Sequence, residues 1–154
     1  MEYCDWNDLK KSLVNIFQDV LNEEVTKNLK STLLDIINKN VYSKYTPIYY
    51  KRRMGSGGLK SKRQMISTNK QTATIARIFF TTQAKGNPDK YFVEKEGFLK
   101  RIEYGNKNPY FGSTSDPYNR PRPFMSTLKS RSVNTLIIKP LRNGLEGKGI
   151  KTFK

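Results

Sequence analysis

The first forty residues carry one apolar stripe at helical spacing. Between residues 7 and 40, apolar side chains recur at steps of three and four, and this spacing predicts an amphipathic helix. Asn7 or Asp8 is suited to cap its start, and Asn40 is an acceptable end. The apolar positions are Leu9, Leu13, Ile16, Phe17, Val20, Leu21, Val25, Leu29, Leu33, Ile36 and Ile37.

The predicted helix is long for a chain of 154 residues. About 33 residues at a rise of about 1.5 Å span roughly 50 Å, whereas a globule of this chain length is roughly 40 Å across. The helix must therefore bend, break at the weak stretch 22–24, or extend past its own domain onto another subunit. The alternative is an ordinary two-helix hairpin packed on the core, and the pattern leaves both possibilities open.

Beyond residue 40 the pattern changes to strands, turns and short helices. Residues 41–63 show no periodicity, whereas residues 64–68 and 72–83 read as two strands that residues 69–71 could join as a hairpin. Further predicted elements are a short helix after Gly97 that ends near residue 104, a loop at 105–123, helices at 123–131 and 134–145, and an edge strand at 150–153.

These elements predict an α+β fold in a single domain spanning residues 1–154. It comprises a long N-terminal helix, a small mostly antiparallel sheet, and C-terminal helices packed on one face. Within the domain we expect a helical segment at 1–40 and a basic α+β body at 41–154 that contains the long loop.

The net charge of +16 is segregated along the chain. Residues 1–40 carry five bases against seven acids, a net charge of −2, while residues 41–154 carry 24 bases against six acids, a net charge of +18. So much like charge repels itself and is best tolerated beside an anionic partner: nucleic acid, an acidic protein or anionic lipid. Plain solubility is the alternative, but a solubilising charge need not be segregated.

The absence of histidine excludes most catalytic designs. Nucleophile pairs of Ser–His or Cys–His type are impossible, and a zinc site has too few ligands because Cys4 is the one cysteine. Glu94, Glu96 and Glu103 do not form a catalytic set or a metal-binding spacing. We therefore expect no enzyme, cofactor or metal. An acidic N-terminus and the lack of an apolar run of roughly 20 residues predict neither a signal peptide nor a membrane span.

Residues 42–63 interleave tyrosines with lysines and arginines. Bases of nucleic acids stack on tyrosine while basic side chains neutralise phosphates, so the stretch is typical of nucleic-acid binding. The alternative is that the tyrosines pack against a sheet edge and the charges face water. The candidate residues facing DNA or an acidic partner are Lys51, Arg52, Arg53, Lys60, Lys62 and Arg63.

Three short motifs follow one another in a fixed order. They are Tyr-x-Pro-x-x-Tyr with a later Gly-Gly-Leu, then Ile-Glu-Tyr-Gly, then Arg-Pro-Phe. This order resembles the neck, or head–tail joining, proteins of long-tailed bacteriophages, which are also called tail-completion proteins. The motif residues are Tyr45, Pro47, Tyr50, Gly57, Gly58, Leu59, Ile102, Glu103, Tyr104, Gly105, Arg122, Pro123 and Phe124.

The resemblance implies a structural virion protein without enzymatic activity. It implies assembly in the host cytoplasm into a ring, expected to be sixfold, between portal-side connector proteins and the tail-tube or tail-terminator proteins. DNA would pass through the lumen without sequence specificity, and no membrane or cofactor would be involved. Within the motifs we expect Gly105 to supply a turn, Glu103 to bond loop backbone, and Phe124 to anchor a helix in the core.

Two other classes of function remain open. One is a small basic nucleic-acid-binding protein that uses the segment 42–63. The other is a small RNase-like toxin, which would need an acid–base pair that the missing histidine makes hard to find.

Overall fold

The computed structural model describes residues 5–44, 58–72, 75–84, 98–105 and 120–152. The chain divides into two compact units. The first comprises Met1–Ser31, Ile66–Thr81 and Ser132–Lys154, and the second comprises Thr32–Met65 and Thr82–Arg131. The predicted α+β class is confirmed, with helices predominating. The single-domain organisation stays a prediction.

The long N-terminal helix begins one residue earlier than the pattern suggested. Helix α1 spans Trp6–Val20, and its cap is Asp5, whose backbone is extended. The Asp5 carboxylate accepts hydrogen bonds from the backbone N–H groups of Asn7 (2.6 Å) and Asp8 (2.9 Å). The prediction that Asn7 or Asp8 caps the helix is thus wrong. The backbone N–H groups of these two residues belong to the first turn and are themselves the groups that need a capping partner.

The weak stretch at 22–24 does not break the helix. A π-helical turn occupies Leu21–Val25, and helix α2 follows at Thr26–Ile37. The Thr26 hydroxyl donates to the Leu21 carbonyl at 3.0 Å. This hydrogen bond gives one carbonyl of the widened turn a partner. A second π-helical turn, Asn38–Tyr42, carries the helix two residues beyond its expected end at Asn40.

The sheet is a two-stranded antiparallel hairpin. Strand β1 spans Met65–Gln71 and strand β2 spans Ala76–Thr82. The predicted alternation along β2 is confirmed: its inner side chains are partly or fully buried and its outer ones are exposed. The inner set is Ala76, Ile78, Phe80 and Thr82, and the outer set is Arg77, Phe79 and Thr81.

The chain reverses between Thr72 and Ile75, and the predicted link at 69–71 is wrong. The Thr72 N–H donates to the Ile75 carbonyl at 2.8 Å, and farther along, the Gln83 N–H donates to the Gln64 carbonyl at 2.7 Å. This register places buried Met65 on the inner face of β2. A link at 69–71 would have put Met65 on the same face as the charged Arg77, so side-chain burial selects the later turn.

The predicted short helices are present, the first with the predicted bounds and the later ones with shifted bounds. Helix α3 spans Phe98–Tyr104, and helix α4 spans Met125–Lys129. A π-helical turn at Asn134–Ile138 leads into helix α5 at Lys139–Gly147. The expected loop at 105–123 lies mostly outside the described residues. None of the helices in the described ranges is long and apolar enough to cross a membrane.

Helix α5 ends in a glycine cap rather than leading into a strand. Gly149 has a φ of +83°, the Gly149 N–H donates to the Glu146 carbonyl, and the Ile150 N–H donates to the Leu145 carbonyl, both at 3.0 Å. This is the Schellman arrangement, which satisfies the last carbonyls of a helix. Residues 150–152 form no strand, so the predicted edge strand is wrong over this part. One reason is that the Ile150 N–H is already used in the cap.

Gly144 marks a close approach between helix α5 and the end of α1. A Cβ at this position would overlap the Cγ1 of Val20, which is buried, and would lie 3.2 Å from the Cγ of Glu24. We expect Gly144→Ala to lower the free energy of unfolding by about 1–3 kcal/mol, because overpacking outweighs the gain in helix propensity.

Urea denaturation followed by circular dichroism would measure this effect. Gly147→Ala is the matched control, since a Cβ there meets nothing within 4 Å. The control should be neutral or stabilising by up to about 1 kcal/mol. Equal effects of the two substitutions would contradict the close packing at Gly144.

Phe124 is the largest fully buried side chain in the described residues, with 1% of its surface exposed. We expect Phe124→Ala to cost about 3–5 kcal/mol of unfolding free energy through lost burial and an unfilled cavity. The control is Tyr104→Ala, because Tyr104 is 63% exposed and its loss should change stability by about 0.5 kcal/mol or less. Thermal melts of both variants would test the role of Phe124 in the core. An unchanged melting temperature for Phe124→Ala would refute that role.

Candidate functional site

Two of the sequence motifs come together in the second unit. The backbone N–H of Arg122 donates to the Ile102 carbonyl at 2.8 Å, so the Arg-Pro-Phe segment lies beside helix α3. Ile102 is buried, as is Phe124 two residues after Arg122. The two motifs therefore form one junction, although about twenty residues separate them in the chain.

Glu103 is the centre of this junction. One of its oxygens accepts from the backbone N–H groups of Phe124 (2.8 Å) and Met125 (3.0 Å), and the other accepts from the N–H (2.8 Å) and the hydroxyl of Ser126. These are the N–H groups that the start of helix α4 leaves without partners, and Phe124 has no side-chain cap to offer. Glu103 thus caps α4 from a distant helix.

The carboxylate of Glu103 is held in its charged form. Burial by itself would raise the pKa of Glu103, but hydrogen bonds from the Ser126 hydroxyl and from the N–H groups of Phe124, Ser126 and Met125 outweigh it and lower the pKa. The expectation that Glu103 bonds backbone is therefore met. What the sequence did not show is that this backbone is the first turn of a helix.

The neighbours of Glu103 serve different purposes. Tyr104 is 63% exposed and contributes little to the core, whereas Gly105 has a φ of +76° and supplies the expected turn at the end of α3. Leu59 of the Gly-Gly-Leu motif is 3% exposed, and Gly58 before it is also buried. In the described residues the motifs thus contribute mainly to the core and to capping.

Asn40 is a residue of the junction that sequence reasoning identified only as a helix end. Its side-chain amide donates to the Pro123 carbonyl at 2.6 Å and to the Thr127 hydroxyl at 3.2 Å. The Thr127 hydroxyl in turn donates to the same Pro123 carbonyl at 3.1 Å. Asn40 therefore fixes the start of α4 from the end of the long helix. No local pattern could reveal this, because 83 residues separate Asn40 from Pro123.

A basic pocket of about 380 Å³ opens beside the junction. Among the described residues, three cationic side chains line it and no acidic one does. Such a pocket is suited to an anion, such as a phosphate or a carboxylate. We call it the basic pocket, and its lining is Asn40, Lys44, Arg120, Pro121, Arg122 and Pro123.

The family model YomN matches residues 5–147. The chain belongs to the YomN family. YomN is a phage-derived family, so the chain is a phage-associated protein. The phage part of the resemblance found in the sequence is thus confirmed, and the neck role stays a prediction. No curated protein and no solved structure matches the chain.

The YomN match includes the whole junction and the long helix. It begins at Asp5, the cap of α1, and extends to Gly147, the end of α5. Glu103, Phe124 and the basic pocket all lie within it. The junction therefore lies within the region that the family model matches.

Of the predicted basic segment 42–63, Lys44 lines the basic pocket, whereas the described candidates Lys60, Lys62 and Arg63 do not. Lys60 lies with its ammonium 5.0 Å from the centre of the Tyr42 ring, and Lys62 and Arg63 are exposed on a 3-10 turn. The basic pocket combines Lys44 with Arg120 and Arg122. The predicted residues that lie outside the described ranges are Tyr45, Pro47, Tyr50, Lys51, Arg52, Arg53 and Gly57.

The described part of the chain has no group of three or more His, Cys, Asp or Glu side chains that could hold a metal ion.

The Glu103 cap generates a pH-dependent prediction. We expect Glu103→Gln to lower the free energy of unfolding at neutral pH by about 1.5–3 kcal/mol, because charge-assisted hydrogen bonds to α4 are lost. The folded state lowers the pKa of Glu103, so its stabilising contribution is complete above the ordinary value of 4.5 and is lost as the pH falls through the folded value.

Denaturant melts of the natural chain and of Glu103→Gln between pH 3 and pH 7 would test this. The gap between their free energies of unfolding should shrink as the pH falls. Glu24→Gln removes an exposed carboxylate and is the control. A gap that stays constant across this range would contradict the cap.

Proposed function

We propose that the chain is a structural virion protein of a tailed phage. It forms a ring, expected to be sixfold, at the head–tail connector, where it joins portal-side connector proteins to the tail-tube or tail-terminator proteins. Membership of a phage-derived family supports the virion role, and the ordered motifs in the sequence favour the neck over other virion positions. The proposal includes no catalysis and no cofactor.

The observation that carries the proposal is an apolar face on helix α1 that the chain covers only in part. Between Trp6 and Phe17 none of the apolar side chains is buried: Trp6 is 65% exposed and Phe17 is 36% exposed. From Val20 onward the apolar positions of the long helix are buried almost without exception. An exposed apolar face of this kind marks an interaction site, and in a ring each subunit buries such a face on its neighbour.

The distribution of charge fits a ring through which DNA passes. The segment 41–154 carries a net charge of +18, and the basic pocket adds a local concentration of cations. A lumen that lets DNA slide tolerates positive charge without needing sequence-specific contacts. Part of the charge would meet acidic partner rings instead. DNA and acidic partner rings are both anionic. The positive charge therefore supports the neck role with either of them as the partner.

The basic pocket also favours a second candidate function, a small nucleic-acid-binding protein. Lys44 and Arg120 both line this pocket, and cations of this kind neutralise the phosphates of a nucleic-acid backbone. This function would need no self-assembly. It would predict tight binding by a monomer and an affinity that falls steeply as the salt concentration rises.

Light scattering coupled to size-exclusion chromatography, together with a DNA titration at several salt concentrations, would separate the two functions. The neck proposal expects a closed oligomer of about six copies and the presence of the chain in purified particles of the phage that encodes it. A monomer absent from those particles would refute it.

The nucleic-acid candidate expects a monomer whose DNA affinity and salt dependence both fall in Lys44→Gln and Arg120→Gln. Lys129→Gln is the matched control, since Lys129 is an exposed cation that does not line the basic pocket. Equal losses of DNA affinity in all three variants would indicate a general electrostatic attraction. That result would contradict a DNA-binding role for the basic pocket.

A further inference from the structure

We infer that the start of helix α1 docks on the outer face of the β-hairpin of a second copy of this chain. The inference rests on the proposed ring and names the surfaces that build it. We call the first surface the helix stripe, which comprises Trp6, Leu9, Leu13, Ile16 and Phe17. We call the second the hairpin face, which comprises Thr68, Lys70, Ile75, Arg77, Phe79 and Thr81.

The helix stripe is continuous and has an acidic flank. At about 100° per residue, its five members project within a narrow sector of α1, and all are exposed or partly exposed. Asp5, Asp8 and Asp19 lie along one side of this sector, and all three are exposed. On the other side the Lys10 ammonium lies 5.9 Å from the Trp6 ring. The stripe therefore presents apolar surface bordered by carboxylates.

The hairpin face has the complementary character. Phe79 is 53% exposed and Ile75 is 41% exposed, and the Lys70 ammonium lies 6.0 Å from the Phe79 ring. The register set by the Thr72–Ile75 hydrogen bond places Lys70 directly opposite Arg77. Like charges in this position destabilise a strand pair unless an anion lies between or above them. The face therefore combines apolar surface with uncompensated positive charge.

The hairpin face is the exposed side of the hairpin within one copy. The inner face of the hairpin, with Ile78 and Phe80, is the partly buried one, and the backbone carbonyl of Arg77 accepts from the side chain of Gln18 at 3.5 Å. The hairpin thus approaches its own α1 at Gln18, which is buried. The exposed hairpin face remains available to a neighbour.

A second copy is the occupant that the charges favour. Carboxylates beside the helix stripe would lie against Lys70 and Arg77, while the aromatic and aliphatic side chains of both surfaces would be buried together. The same carboxylates disfavour an anionic membrane as the occupant of the stripe. Because each copy presents one stripe and one face, the contact is heterologous, and successive contacts build a ring when the rotation closes.

Complementation between two variants tests this contact directly. Phe17→Glu damages the helix stripe and leaves the hairpin face intact, while Phe79→Glu does the reverse. Each variant alone should lose the oligomer, with self-affinity reduced at least about tenfold. Mixed together they should form a one-to-one pair, because one intact stripe meets one intact face. Light scattering would read the mass of each sample, and circular dichroism would verify that both variants are folded.

The single tryptophan gives an independent readout, since Trp6 lies in the helix stripe. Its emission should shift to the blue as the concentration of the natural chain rises and should not shift in Phe79→Glu, although that substitution is far along the chain. Tyr104→Glu is the matched control, because it places a charge on an exposed aromatic residue outside both surfaces. This control should assemble and shift like the natural chain.

The outcomes separate this inference from the proposed ring. A ring that forms undisturbed in Phe17→Glu and Phe79→Glu would overturn the contact while leaving the neck proposal intact. A mixture that stays monomeric while the natural chain assembles would also overturn it. A natural chain that remains monomeric, but whose Trp6 emission shifts on vesicles of anionic phospholipid, would overturn both the contact and the ring.

Discussion

The capping of helix α4 by Glu103 is the interaction on which the second unit depends. Helix α4 has five residues, too few to persist without tertiary support. Its N-terminal N–H groups find their partner in a carboxylate that another helix supplies. A single charged side chain therefore orders the start of α4, keeps Phe124 in the core and joins two motifs that lie far apart in the sequence. Asn40 secures the same turn through the Pro123 carbonyl.

The first unit presents a different physical problem. The part of the long helix that lies in this unit has buried apolar side chains from Val20 onward, but near its start it leaves apolar side chains in contact with water. Its hairpin also places two cations opposite each other on an exposed face. Each feature costs free energy in an isolated chain, and in the contact we propose each would be relieved by the other. A sequence with segregated charge and one uncovered stripe is thus suited to a repeated assembly.

Sequence reasoning was most successful where a pattern is local and periodic. It predicted the long helix, the alternation along β2 and the helix after Gly97, because these depend on spacing that neighbouring residues share. It failed for the hairpin turn, since the register is chosen by the burial of Met65 and not by turn propensity. The basic role predicted for the segment 42–63 stays a prediction. Its residue Lys44 lines the basic pocket together with Arg120 and Arg122, which lie far from it in the chain and could not be assigned to one pocket from a local pattern.

The amino-acid sequence by itself determined the fold class, the long amphipathic helix, the charge asymmetry and the exclusion of histidine-based chemistry, since each follows from composition or short-range periodicity. Only the tertiary structure decided that Glu103 caps α4, that Asn40 holds Pro123, and that the helix stripe stays exposed. These properties depend on contacts between residues distant in the chain, and a linear pattern does not specify which distant groups meet.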